Sequence, residues 1–272
     1  MNARGRLRDV AVIVLLALWA LPFFWQALTS LKPDTELMAV ERLLTAAPTL
    51  AHYRAVVERS VMPAALLNSA GVAVLTTLLA LALGVPGAYA LARLPVPGKN
   101  ALLLAVVACT AFPQITTVGP LFVALRALGL RDTWLALVLA DTSFALPLVL
   151  WLLAGFVREL PVDVEEAAAL DGAGRLRVLL GVVLPLTAPG VVSAALLVFL
   201  MSWNEFLFAF TFTATEASRT VPVALALFPG IFEVPWGDIA AASMLASLPP
   251  IVIVIALQRW LVRGLTAGAL RE

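Results

Sequence analysis

The sequence predicts an all-α membrane protein of six transmembrane helices, and three observations carry that expectation. Of 272 residues, 62% are apolar and only 13% charged, against about 45–50% and about 25% in soluble globular domains. The 18 Lys and Arg nearly balance 17 Asp and Glu, so the chain has neither the net charge of a disordered segment nor the basic stripe of a nucleic-acid-binding one. The apolar residues also fall in runs of the length a bilayer demands, about 20 residues for a hydrocarbon layer roughly 30 Å thick.

Six runs meet that length: residues 10–31, 64–92, 101–125, 133–157, 186–215 and 239–258. Only two contain a charged side chain, Asp141 in the fourth and Glu205 in the fifth. The first follows Arg4, Arg6 and Arg8 as a signal peptide would, but its 22 uncharged residues exceed the apolar core of such peptides, about 7–15 residues. Pro22-Phe23-Phe24-Trp25 is a poor cleavage context, and a retained helix is expected. Residues 220–232 are apolar but too short to span and contain Pro222, Pro229 and Gly230, so they read as a folded loop or re-entrant piece. Prolines within the runs, among them Pro86, Pro113, Pro120 and Pro147, are tolerated in membranes where neighbours satisfy the freed backbone groups.

Orientation follows the basic residues. With the N-terminus inside, 11 of the 18 Lys and Arg fall on the cytoplasmic side, which predicts N-in and C-in. Cys109 has no partner for a disulfide, and with His52 as the one histidine no zinc, haem or iron–sulfur ligand set can be assembled. Cys109 reads as a small core residue.

One cytoplasmic loop, residues 158–185, has a pattern of its own: RELPVDVEEAAALDGAGRLRVLLGVVLP. Pro161 suits a first helical turn, and Asp163, Glu165 and Glu166 place negative charge at the positive end of the helix dipole. Ala167, Ala168, Ala169 and Leu170 favour helix, while Gly172 with Gly174 can supply the left-handed geometry that ends one. A helix from about Pro161 to Asp171 is only about 16 Å long and must lie on the cytoplasmic face. Helices that rest on lipid are usually Lys/Arg-rich, whereas this one is acidic, with small residues that let another surface approach. Docking to a protein accounts for it better.

The run Glu165-Glu166-Ala167-Ala168-Ala169-Leu170-Asp171-Gly172-Ala173, followed by Val183-Leu184-Pro185-Leu186 and Pro189, closely resembles the EAA loop of permease subunits of ATP-binding-cassette importers. The likeness extends over nearly the whole chain to the carbohydrate branch, in particular the second permease of maltose- and trehalose-type systems. Ser30-Leu31-Lys32-Pro33, Asn68-Ser69, Tyr89-Ala90-Leu91-Ala92-Arg93, Pro97-Gly98-Lys99, Trp203-Asn204-Glu205-Phe206, Gln258-Arg259 and the tail Gly264-Leu265-Thr266-Ala267-Gly268-Ala269 are similar to that subfamily. The chain departs from it at Leu179, usually Phe, and at Leu176, where an aromatic is common.

The resemblance implies a single permease domain over residues 1–272 with a MetI-like bundle, a coupling loop at 158–185 and a cytoplasmic tail at 259–272. It implies that Glu165, Glu166, Ala167, Ala168, Asp171 and Gly172 dock an ATPase subunit. It also implies the prokaryotic inner membrane as the location, and as partners a second permease in a heterodimer, two ATPase subunits and an extracytoplasmic sugar-binding protein, into which residues 216–238 would reach. The cargo would be an oligosaccharide or a disaccharide such as maltose or trehalose.

The chain's own residues fit a non-catalytic role. A phosphate-binding loop needs Gly residues followed by Lys and then Ser or Thr, but Lys32 precedes Pro33 and Lys99 precedes Asn100. The expectation is that no cofactor binds here and that Mg-ATP resides on the partner subunits. An intramembrane protease would have to use His52 in an outer loop and Asp141, which its geometry disfavours. An ion-coupled secondary transporter is the alternative transporter class. It predicts midplane charges and inverted repeats, but no repeat is visible and the acidic loop goes unexplained. A membrane scaffold that assembles an ATPase without transport is a third reading.

Carboxylates inside a span cost roughly 2.5–3.5 kcal/mol at its middle, which makes Asp141 and Glu205 pathway candidates, with Asn204. Asp141 lies about 12 Å from the outer end of its run and Glu205 near the outer edge of its own. Trp203-Asn204-Glu205 offers aromatic, amide and carboxylate groups suited to sugar rings and hydroxyls. Equally, Trp203 can anchor at the interface and Glu205 pair with a neighbouring helix. By the resemblance, Asp141 stands where relatives usually carry an aromatic, and Ala140 where they carry a Pro.

Overall fold

The structure, a computed structural model, describes residues 3–37, 44–45, 47–228 and 234–267. Among them there are helices and no strand. Four helices are long and apolar enough to cross a membrane unbroken, and two bent pairs bring the number to the expected six if each pair makes one crossing. The chain divides into two compact units, Met1–Pro63 with Ala224–Pro249, and Ala64–Val223 with Pro250–Glu272.

In the first unit α1 (Ala3–Leu31) runs unbroken through Pro22, and residues 8–29 include no buried side chain. Such openness suits a helix that packs on lipid or on another chain. After α2 (Asp34–Leu37) and α3 (Ala51–Arg59), a polar knot gathers at its C-terminal end. Ser30 Oγ lies 2.8 Å from the Tyr53 hydroxyl. The buried His52 meets Asp238 through Nδ1 at 2.7 Å and the Lys32 carbonyl through Nε2 at 2.9 Å. A methyl added at Gly237 would overlap the His52 ring, so only glycine fits there. The expected loop or re-entrant piece at 220–232 begins as a short helix, α13 (Val221–Ala226), and residues 229–233 lie outside the described residues.

The second unit holds α4 (Met62–Arg93) from Ala64 onward, α5 (Lys99–Cys109), α6 (Gln114–Ala127) and α7 (Trp134–Glu159). It continues with α8 (Asp163–Leu170), α9 (Arg175–Val178), a π-helical turn (Leu179–Val183) and α10 (Leu184–Leu186), then α11 (Ala188–Trp203) and α12 (Leu207–Phe212). Ala80, Ala88, Ala145, Ala154 and Ala194 pack with Val149 and Val198 in one cluster. Such small residues let membrane helices approach by van der Waals contact, the attraction left once lipid has removed the hydrophobic drive. A second cluster brings Phe208 and Phe212 against Val72, Leu125 and Leu137.

Two expected spans are not single helices. The third, at 101–125, bends by 92° between α5 and α6. Pro113 has no N–H to continue the ladder, and the N–H groups of Thr110 and Ala111 turn back to Val107 and Ala108 in a tightened last turn. Cys109 ends α5 and is exposed rather than in the core. The fifth, at 186–215, bends by 81° at Thr187, between Pro185 and Pro189, where the Thr187 hydroxyl donates to the Val183 carbonyl at 2.8 Å. Its helix then ends at Trp203 and resumes as α12, so Glu205 lies at a break and not within a helix. The helix α14 (Trp236–Ala267) runs on past the expected end of the last span into the expected tail, of which 268–272 lie outside the described residues.

Candidate functional site

The loop at 158–185 folds as a short surface helix, α8, two residues shorter at its start than expected. Its first turn carries Asp163, Glu165 and Glu166 at the positive dipole end. At its other end Gly172 takes φ +84°. The Gly172 and Ala173 N–H groups bond the Ala169 and Ala168 carbonyls, each at 3.0 Å, the paired closure that favours glycine in the left-handed position. Gly174 is extended instead.

Glu165 corrects the docking set. It is buried, and its carboxylate accepts from Arg93 Nε at 2.6 Å and the Tyr89 hydroxyl at 3.1 Å. Arg93 also donates to the Leu160 carbonyl at 2.7 Å. Glu165 therefore fastens α8 to the ends of α4 and α7 and is unavailable to a partner surface. Ala168 is half-buried against Val157, Val178, Leu179 and Val183 beneath the helix. Glu166, Ala167, Asp171 and Gly172 are exposed. So are Leu170, at 88%, and Leu176, at 69%. These two leucines were not among the sequence candidates, although two apolar side chains flanking an acidic helix on a polar face are themselves a docking signal.

The pathway candidates separate. Asp141, on α7, is buried and accepts from the Ser202 hydroxyl at 2.5 Å through Oδ2. Its Oδ1 has no hydrogen-bond partner among the described residues, and neither has the buried Thr76 hydroxyl. Each such group costs about 1–3 kcal/mol. Both line a small chamber of about 30 Å³ together with Gln114, Ser202 and Glu205. Glu205 caps α12, accepting from the Phe208 and Ala209 N–H groups at 2.7 and 2.9 Å. Asn204 is elsewhere: it is exposed and its amide donates back to the Leu200 carbonyl at 2.7 Å. Beside the chamber lies a pocket of about 340 Å³ walled by Thr110, Phe112, Gln114, Phe144, Trp151 and Met201.

A third polar cluster straps the loop after α12. Asp132, at φ +61°, accepts from the N–H groups of Ala214 and Thr215 at 2.7 and 3.1 Å, from the Thr215 hydroxyl at 2.7 Å and from the Ser218 hydroxyl. Burial works to raise its pKa, but the hydrogen bonds from Ser218, Ala214 and Thr215 prevail and hold it well below the usual carboxylate range. Asn68 donates to the Glu216 and Arg219 carbonyls at 3.2 and 2.8 Å and accepts from Trp134 Nε1 at 3.1 Å. Ser69 accepts from the Val221 N–H at 2.8 Å.

Residues 80–267 match the family described as binding-protein-dependent transport system inner membrane component. The chain belongs to that family. It is 45% identical to the trehalose transport system permease protein SugB of Mycobacterium tuberculosis over 92% of each chain. It is 38% identical to the trehalose/maltose transport system permease protein MalG of Thermococcus litoralis, over 96% of this chain and 95% of that one. In structure, this permease aligns with a chain of a bacterial ABC transporter that imports the acidic polysaccharide alginate, with TM-score 0.81 and 21% identity over 96% of this chain and 99% of that one. At that identity the likeness concerns the fold.

Proposed function

We propose that this permease is one of two membrane subunits of an ATP-binding-cassette importer for a carbohydrate, of the trehalose and maltose class. The observation that carries the reading is 45% identity to a trehalose permease with 92% of both chains covered. The loop supports it: a rigidly fastened acidic helix whose outer face presents Glu166, Asp171 and Leu170 suits the cleft of an ATPase subunit. In this reading two ATPase subunits bind Mg-ATP, and their closure turns the helix bundles as rigid bodies. The present chain has no Gly-Lys-Ser/Thr loop, and ATP hydrolysis is left to those subunits. A sugar-binding protein delivers cargo to the face that carries the loop at 214–221, with both termini of the permease in the cytoplasm. The ion-coupled alternative draws no support from relatives that are permease subunits of binding-protein-dependent systems.

The test is to purify the tagged chain from its native membrane in mild detergent, and to measure uptake of labelled trehalose and maltose by the recovered complex in vesicles with its binding protein. The expected result is one other permease and two ATPase copies in fixed ratio, with ATP-dependent uptake. Recovery of the chain alone or as a homodimer overturns the proposal.

A further inference from the structure

We infer that the pocket at the break between α5 and α6 is a saccharide subsite inside the membrane, which holds one pyranose unit of the transported sugar against Phe144 and Trp151 with a hydroxyl on Asp141. The inference rests on the importer reading and goes beyond it by assigning a sugar contact to this subunit. The break places Thr110, Phe112 and Gln114 beside a stripe of α7. On that stripe Asp141, Phe144, Leu148 and Trp151 recur at the spacing that puts them on one helix face.

Two adjoining spaces result, with Gln114, Phe144 and Met201 shared in their walls. The outer one, about 340 Å³, is at the small end of ligand pockets, roughly 300–1,000 Å³, and fits a single ring unit. Its aromatic faces carry the negative side of the ring quadrupole and suit the polarised C–H faces of a pyranose. The inner one, about 30 Å³, has room for a water or a hydroxyl group. There Asp141 Oδ1 and the Thr76 hydroxyl have no partner among the described residues. A carboxylate accepts strongly from a hydroxyl, and this one keeps an oxygen free because Ser202 engages only Oδ2. Glu205 does not compete, since both its oxygens are taken by backbone N–H groups. A lipid chain would fill the aromatic pocket and leave the polar end unmet. A metal ion would want more anionic ligands than Asp141 and Glu205, and no group of three metal-binding side chains occurs among the described residues.

The test uses the purified complex in vesicles, with trehalose and maltose as probes. In a Cys109→Ser background, Met201→Cys is labelled with a maleimide in the presence and absence of each sugar, without the binding protein. The expected result is slower labelling with the transported sugar and with no other disaccharide. In parallel, Asp141→Asn is expected to lower uptake at limiting sugar by about tenfold or more, the value of one charge-assisted bond, and Trp151→Leu, which removes an aromatic face from the sugar ring, to lower it as well, while the ATPase subunits are recovered in the same ratio. Unchanged labelling in a complex that takes up sugar overturns the subsite and leaves the importer reading standing, as does wild-type uptake by both variants. A wild-type complex that takes up no saccharide overturns the importer reading and the subsite with it.

Discussion

Arg93 Nε lies 2.6 Å from Glu165 Oε1, joining the last turn of α4 to the first turn of the surface helix α8 across 72 positions of sequence. Both side chains are nearly buried, at 13% and 10% exposure. With the Tyr89 hydroxyl and the Leu160 carbonyl as further partners, the pair makes α8 and the end of α4 one mechanical piece, as the proposed coupling to an ATPase subunit requires. Breaking a buried pair leaves an uncompensated charge, at a cost of about 3–5 kcal/mol. Arg93→Ala is expected to lower the detergent melting temperature of the complex and to uncouple ATP hydrolysis from uptake. Arg93→Lys, which cannot make both the Nε and the Nη2 contacts, should fall between the two. Wild-type coupling in Arg93→Ala would remove the pair from force transmission.

Glu166 behaves oppositely. It is the next residue, yet it is exposed, and its backbone N–H bonds the Val162 carbonyl at 3.1 Å while its carboxylate meets no hydrogen-bond or ion-pair partner among the described residues. Glu166→Lys is therefore expected to leave membrane insertion and the melting temperature of the isolated permease unchanged, while ATPase subunits no longer co-purify with it. Normal co-purification and uptake would sink the docking role.

The contrast between these neighbours shows what could be read from the chain alone. The apolar runs and the acidic surface helix were legible because both obey local rules of length and dipole, although the helix starts at Asp163 and leaves Pro161 outside it. Which of two adjacent glutamates turns inward depends on Arg93, a distant partner that local pattern does not reveal. The breaks were similarly hidden: Pro86 and Pro147 lie inside unbroken helices, while Pro113 follows a bend of 92°, so a proline in a membrane run signals a permitted kink and not a certain one. Asn204 and Glu205 looked like one functional unit in sequence, but the helix end at Trp203 sends the amide back to Leu200 and the carboxylate forward to α12.

Gly172 offers a test of backbone geometry alone. A methyl added there meets nothing of this chain within 4 Å, so any effect of Gly172→Ala on the permease itself comes from its φ of +84° and not from an internal clash. The strain of an L-residue in the left-handed region is roughly 1–2 kcal/mol. Gly172→Ala should loosen the end of α8, visible as faster hydrogen exchange at the Gly172 and Ala173 amides. Gly172→Asn, which tolerates that region better, should be milder. Equal effects of Ala and Asn would point to lost contact with a partner surface instead of backbone strain.

Asp132 gives a pH prediction with a definite sign. Its ordinary value is 3.8, and in the folded chain the hydrogen bonds from Ser218, Ala214 and Thr215 lower it further. A carboxyl whose folded pKa is depressed contributes stability that is fully present above the unfolded value and is lost as pH falls through the folded one. The strap on residues 214–218 is thus expected to be constant from pH 5 to pH 8, within which no titration of Asp132 occurs. Asp132→Asn keeps a residue that tolerates positive φ but removes the charge. It should cost less than Asp132→Ala, which loses every bond to the strap. Protease nicking within residues 214–218 measures the loosening, and uptake driven by the binding protein measures its consequence. The expected order for both is wild type, Asn, Ala, with ATPase co-purification intact throughout. A difference between wild type and Asp132→Asn that varies across pH 5–8 would show that some other group controls the strap.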